Sequence, residues 1–142
     1  MRNYIFILLA ILIALSSCKR VVIKVDSIPA NTPVGQPIFI TGNFNNWDPD
    51  DELYILDMAS DSNYYYTLPP GFGTVYFKFT RGGWRTVEKG ICGDEIDNRS
   101  IETALVDTLV CRIESWSELD PLNCPKLVLK IENIPPNTPE DD

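Results

Sequence analysis

The residue type that bears most on chemistry here is one the chain lacks: there is no His in its 142 residues. That removes Ser-His and Cys-His nucleophile pairs and every His-ligated metal site. Nucleophile-elbow, phosphate-loop and dinucleotide-loop patterns are missing as well, so no cofactor is expected. Asp and Glu remain, and a carboxylate pair can cleave a glycosidic bond, yet no pair sits in a recognisable context and no enzyme activity is expected. What the sequence does offer is a set of binding groups. Trp47 follows Asn45-Asn46 and precedes Asp48-Pro49, while Trp84 follows Gly82-Gly83, so both indoles fall in turn-like sequence. Lys78 alternates with Phe77 and Phe79, which sends it to the opposite face of a strand. Asn98, in Asp97-Asn98-Arg99, supplies a carboxamide. A pyranose ring shows C–H patches to an indole face while its rim hydroxyls need donors and acceptors, and two exposed aromatics beside Lys and Asn meet both needs. Trp is more often core than ligand platform, which is the competing account of the pair. The acidic runs Asp48 to Glu52 and Asp94 to Asp97 lack EF-hand spacing and read as solvated loops, so no metal site is expected.

These groups need a scaffold, and the scaffold reads as short strands. After Cys18 no segment keeps a helical period, and Pro or Gly recurs about every ten residues. Strands are expected over Val21 to Ile28, Ile38 to Thr41, Leu53 to Met58, Asn63 to Leu68, Thr74 to Arg81, Trp84 to Glu88 and Leu105 to Ile113. The clearest is Thr74 to Arg81, with Val75, Phe77 and Phe79 on one face and Tyr76, Lys78 and Thr80 on the other. Short strands with one apolar face each predict an all-β chain folded as an immunoglobulin-like antiparallel β-sandwich over residues 21–116.

Ile38 to Trp47, containing Gly42-Asn43-Phe44-Asn45-Asn46-Trp47, is followed by Leu68-Pro69-Pro70-Gly71 and then by Val75-Tyr76-Phe77-Lys78-Phe79-Thr80-Arg81-Gly82-Gly83-Trp84. In that order the segments resemble the starch- and glycogen-binding modules of carbohydrate-binding families 20 and 48, which include the glycogen-binding domain of AMP-activated kinase. The resemblance implies a β-sandwich whose glucan contacts fall on Trp47, Lys78, Trp84 and, as nearest match, Asn98. The stretch from Thr86 to Arg99 is longer and more acidic than the usual loop after the second Trp. In that respect it is similar to a bacterial subgroup in which such sandwiches accompany esterase-like domains.

The chain opens on Arg2 and an unbroken apolar run from Tyr4 to Leu15, twelve residues against the roughly 20 needed to cross a bilayer. A basic start, a short apolar run and small residues read as a secretory signal over residues 1–17. Leu15-Ser16-Ser17-Cys18 is similar to the lipobox of bacterial lipoproteins, which implies cleavage before Cys18 and its acylation, with residues 18–20 as the lipidated N-terminus. The expected location is the bacterial cell envelope, at the outer membrane, held there through the lipid anchor. Twelve Lys and Arg against twenty Asp and Glu leave a formal net charge of −8, which argues against nucleic acid. In an oxidising compartment three further cysteines matter. Cys111 shares a strand face with Leu109 and Ile113 and reads as a buried thiol, leaving Cys92 and Cys124, both in loop-like sequence, as the disulfide candidates.

Residues 127–139, LVLKIENIPPNTP, repeat residues 21–33, VVIKVDSIPANTP, with seven of thirteen positions identical at an offset of 106. The repeat makes 117–125 an expected linker and 126–142 the expected first strand of a second, truncated unit. The function that emerges is non-catalytic binding of α-glucan, polysaccharide or oligosaccharide, by an envelope-anchored lipoprotein, with a glycoside hydrolase or esterase as companion. A protein-interaction or adhesion module of the same fold that binds no sugar, and an accessory domain of a longer hydrolase, are the alternatives. The lipobox has a direct consequence: in cells fed a labelled fatty acid, the wild type takes up label and Cys18→Ala does not. Equal labelling of the two would refute the anchor.

Overall fold

β5, from Thr74 to Thr80, is the strand around which the fold is arranged in the computed structural model, which describes residues 20–125. The signal segment, Cys18 and the repeat at 126–142 lie outside the described residues. β5 pairs antiparallel with β2 (Phe39–Gly42) on one side and β7 (Arg99–Glu102) on the other, giving a sheet in the order β2-β5-β7. The facing sheet runs β3-β4-β1-β8, from β3 (Asp57–Met58), β4 (Tyr64–Thr67), β1 (Val22–Ser27) and β8 (Thr108–Arg112). A short ribbon joins β6 (Glu88–Lys89) to β9 (Ser115–Trp116). The described chain is therefore an all-β sandwich, as its punctuation and alternation predict, with no α-helix among the described residues. Every strand pair named is antiparallel except β1–β8, which runs parallel from Val22↔Thr108 onward. The connection that closes this pair is nearly the whole domain, the kind of long return a parallel pair requires.

Alternation sets the core. Val75, Phe77 and Phe79 of β5 are fully buried and meet Ile23 and Val25 of β1, Ile40 of β2, Ile101 of β7, Cys111 and Ile113 in one cluster. Truncating a buried Phe to Ala in such a core costs about 3–5 kcal/mol. Burial pushes the Cys111 thiol up to about 11, so it stays protonated at neutral pH as a small apolar group. Trp116 is also wholly buried; its Nε1 donates to Thr32 Oγ1 at 2.9 Å and the Arg81 guanidinium lies over its ring, 5.3 Å from the centroid.

The structure departs from the expected strands at four places, for local reasons. Glu52–Tyr54, which overlaps the start of the expected third strand at Leu53 and Tyr54, is a 3₁₀ turn because Asp51 Oδ1 accepts from the Leu53 amide and opens it. Trp84–Thr86 is likewise a 3₁₀ turn, leaving only Glu88 of the expected sixth strand in β6. β7 lies where the sequence reads as loop, because on this edge strand only Ile101 is buried and no alternation is visible. β9 is two residues long, too short to register as a pattern. The stretch 117–125 runs against the sandwich: the Ser117 amide donates to Val87 O, Glu118 pairs with Arg81, Asn31 Nδ2 donates to Asp120 O at 2.9 Å, and Cys124 is bonded to Cys92.

Of the buried charged residues Arg81, Glu88 and Lys89, Glu88 is the most fully committed to the interior. Glu88 is 1% exposed, and its carboxylate accepts from the Phe79 amide at 3.0 Å and from Arg99 Nε and Nη2 at 3.0 and 2.8 Å. Arg99 continues to Arg112 O and lies 5.4 Å from the centroid of Phe79, so one ion pair ties β5, β6, β7 and β8 together. Removing one partner of such a pair strands the other's charge in low dielectric, at a cost of about 3–5 kcal/mol. Arg99→Ala should lose about that much in urea denaturation, and a loss under about 1 kcal/mol would show that Glu88 finds water instead.

Candidate functional site

The outer face of β2 and β5 should be open to solvent, since Thr41 and Thr80 point away from the core beside Lys78. Both Thr are nevertheless fully buried. The cover is the loop after β2, and its path follows from the Gly-x-Phe-Asn-x-Trp segment. A Cβ on Gly42 would stand 2.3 Å from Tyr76 O and 2.7 Å from the Phe44 ring, so only glycine lets the chain turn this close to β5. Asn43 then fastens the turn to β5 by exchanging bonds with Tyr76, its amide to Tyr76 O at 3.1 Å and its Oδ1 to the Tyr76 amide at 3.2 Å. Asn45, buried beneath the loop, accepts from the Gly42 amide at 2.9 Å through Oδ1 and donates through Nδ2 to Asp48 O at 3.0 Å. Thr80 Oγ1 closes the far end on Pro49 O at 2.5 Å.

At the crest of this loop Asn46 and Trp47 both adopt left-handed backbone, φ 55° and 60°. Asn tolerates that conformation and Trp seldom adopts it, so the position of Trp47 is imposed by the loop rather than preferred by the residue. Its amide donates to Gly42 O at 2.9 Å, and its indole is half-buried. Trp84 arrives from the other side. Gly82, at φ 91°, turns the chain at the end of β5, and Thr86 Oγ1 and N both bond Gly83 O to close the 3₁₀ turn that carries the indole. Trp84 remains 47% exposed, and its ring centroid lies 6.4 Å from that of Trp47 with the planes inclined at 36°. Residues 37 apart in sequence thus form one tilted aromatic surface.

Lys78 is half-buried in the strand beneath, opposite Thr41. Its Nζ donates to Ile96 O at 2.6 Å and to Asp97 O at 3.4 Å. Asn98 is exposed and directly precedes Arg99, whose ladder partner is Phe77, so the register carries Asn98 toward Lys78. All four expected residues therefore belong to the β2-β5-β7 sheet or to loops at its margin. Asn45 was not among them, although the motif that pointed to Trp47 contains it; its role appears only once its side chain is seen bridging Gly42 and Asp48.

The acidic runs take part in turns. Asp51 caps a 3₁₀ turn, Asp94 Oδ1 accepts from the Cys92 amide, and among the described residues no group of three or more potential ligands could hold a metal ion. The protonated Asp50 carboxyl can donate a hydrogen bond to Asp48, which raises it from the ordinary carboxylate value, while the hydrogen bond and charge of Lys89 hold Glu95 below that value. Elsewhere a cleft of about 410 Å³ opens between the sheets, lined by Ile28, Val34, Ile38, Leu56, Met58 and Tyr64 among others. It contains none of the four expected residues and no charged side chain.

No family model matches the chain. Over 94 residues it is 37% identical to an alpha-amylase of Niallia circulans, a match covering 65% of this chain and 7% of the amylase. Over 78 residues it is 40% identical to an amylopullulanase of Thermoanaerobacter thermohydrosulfuricus, covering 53% of this chain and 5% of that protein. The chain thus spans less than a tenth of the length of either relative.

The loop geometry makes Asn45 the residue to remove. Asn45→Ala leaves the buried Gly42 amide without its partner, at a cost of about 1–3 kcal/mol, and releases the Asp48 carbonyl. The melting temperature should fall, and Trp47 fluorescence should shift to the red as the indole loses its fixed seat. An unchanged emission spectrum would show that the loop is held by Asn43 and Thr80 alone.

Proposed function

We propose that this domain is a non-catalytic module that binds α-glucan on the surface formed by Trp47 and Trp84. The observation that carries the reading is the indole pair itself: two aromatic faces 6.4 Å apart, inclined at 36°, with Trp84 half exposed. A sugar ring stacks its C–H patch on each face, and the incline suits a chain that turns from one glucose to the next better than a flat ribbon. The amylase and amylopullulanase similarities support an α-1,4-linked substrate, because both relatives are named for enzymes of starch-type polymers and share only a short stretch with this chain. That proportion also favours a part played beside a hydrolase, which the module would keep close to its polymer. The lipobox-like Cys18 would hold it at the cell envelope.

Taken as comparable to an aromatic pair, a sugar ring stacked on one indole contributes roughly 0.5–1.5 kcal/mol beyond the area it buries. Losing one of two platforms therefore weakens binding several-fold to over tenfold. In gels containing amylopectin the wild type should be retarded, and Trp47→Ala and Trp84→Ala should each run nearly free. Both Trp and Ala carry a Cβ, so the positive φ at position 47 burdens either residue and the melting temperature should move little. A wild type that runs freely in amylopectin, glycogen and mixed-linkage glucan gels would refute the carbohydrate reading and leave an adhesion module.

A further inference from the structure

We propose that the open edge of β8 takes residues 128–132 of this same chain as an added antiparallel strand, so that the repeat of β1 pairs with the sandwich it follows. β8 is the last strand of its sheet, and among the described residues no strand lies on its outer side. The bonds at its two ends fix which groups face that side. The Val22 amide donates to Asp107 O at 2.9 Å and the Ile113 amide to Ser27 O at 3.0 Å, so the odd-numbered residues from 107 to 113 turn their backbone toward β1. Thr108, Val110 and Arg112 turn theirs outward, where Arg112 O accepts from Arg99 Nη2 at 2.6 Å. Backbone groups along such an edge are a template for a further strand. Nothing at its centre repels one: Thr108 and Val110 are exposed and uncharged, and the one charge on β8, Arg112, stands at its end.

Sequence and position both select this occupant. Residues 127–132, LVLKIE, repeat residues 21–26, VVIKVD. The earlier copy is the segment that β8 already accepts on its other side, with Ile23 opposite Leu109, Lys24 opposite Val110 and Val25 opposite Cys111. An antiparallel strand with Lys130 opposite Val110 sets Leu129 opposite Cys111 and Ile131 opposite Leu109, which extends the apolar layer and leaves Lys130 on the wet face. A slip of one residue would turn those apolar side chains outward, so the register is specified. The path of the chain agrees. Cys124 is bonded to Cys92, two residues from Gly90, whose carbonyl accepts from Ser115 Oγ at 2.7 Å, and Ser115 is three residues beyond Arg112. The chain is thereby pinned at the Arg112 end of β8, with Pro125 and Lys126 before Leu127. A strand laid along the edge from that point runs opposite to β8, and so short a connection costs little closure entropy.

Amide hydrogen exchange, read residue by residue by NMR on the full chain, tests the pairing, because alternate amides of β8 have different partners. Thr108 and Val110 should exchange slowly, as should Lys130 and Glu132. Ile131→Asp puts a carboxylate on the face that meets Leu109. It should speed exchange at Thr108 and Val110 by about tenfold or more, the net contribution of about one hydrogen bond, while Leu109 and Cys111, whose amides face β1, stay slow. Lys130→Pro, which removes an edge-facing amide and leaves the apolar face intact, should act alike. Thr108 and Val110 amides that exchange freely in the wild type would overturn the proposal, and so would protection that survives both variants. Protection that disappears on dilution, as a dimer dissociates, would put a second copy on the edge and overturn it as well.

Discussion

A single buried carboxamide, that of Asn45, holds the loop on which the candidate site is built. Outward-facing positions of a sheet are ordinarily wet, and here Thr41 and Thr80 are dry because the chain folds back over them. A loop that covers a sheet buries backbone amides and carbonyls, which must find partners. Asn45 supplies both kinds at once, accepting from Gly42 and donating to Asp48. With its ends so fixed, the loop can carry Asn46 and Trp47 through left-handed backbone, a conformation Trp would not choose when free. The indole is thereby delivered facing Trp84 as a consequence of polar bookkeeping one turn earlier.

Buried charge plays a second organising part at the other side of β5. Buried ion pairs such as Glu88–Arg99 are often no more stabilising than a well-packed hydrophobic pair. The pair nonetheless makes bonds a hydrophobic pair cannot, to the Phe79 amide and the Arg112 carbonyl, and these fix how β6, β7 and β8 meet β5. Arg81 acts similarly across longer sequence distances, bonding Gln36 at 2.6 Å and Glu118 while covering Trp116. Through Glu118, Arg81 ties the 117–125 stretch to the sandwich.

Much of the sandwich is legible in the sequence. The alternation in Thr74 to Thr80 assigned Val75, Phe77 and Phe79 inward and Lys78 outward, because a strand side chain has only two directions. Gly42, Gly82 and the flanking Asn and Pro marked turns at which Trp47 and Trp84 are exposed or half exposed. The strands that escaped were those whose signal is weakest: β7 buries one residue, and β9 has only two. Asp51 turned an apparent strand into a 3₁₀ turn by a bond two residues long, which residue type alone permits but does not compel.

The sequence by itself determined the sandwich class, the inward and outward faces and the residue types available to a ligand, since these depend on neighbours one to four positions apart. Tertiary structure alone decided that the indoles of Trp47 and Trp84 stand 6.4 Å apart, that the Lys78 ammonium is bonded to carbonyls 18 and 19 residues away, and that Asp120 and Glu118 close on Asn31 and Arg81. Such contacts join segments whose separation along the chain carries no periodic trace. Their distances are set by how the sheets and loops pack, and no local pattern encodes that.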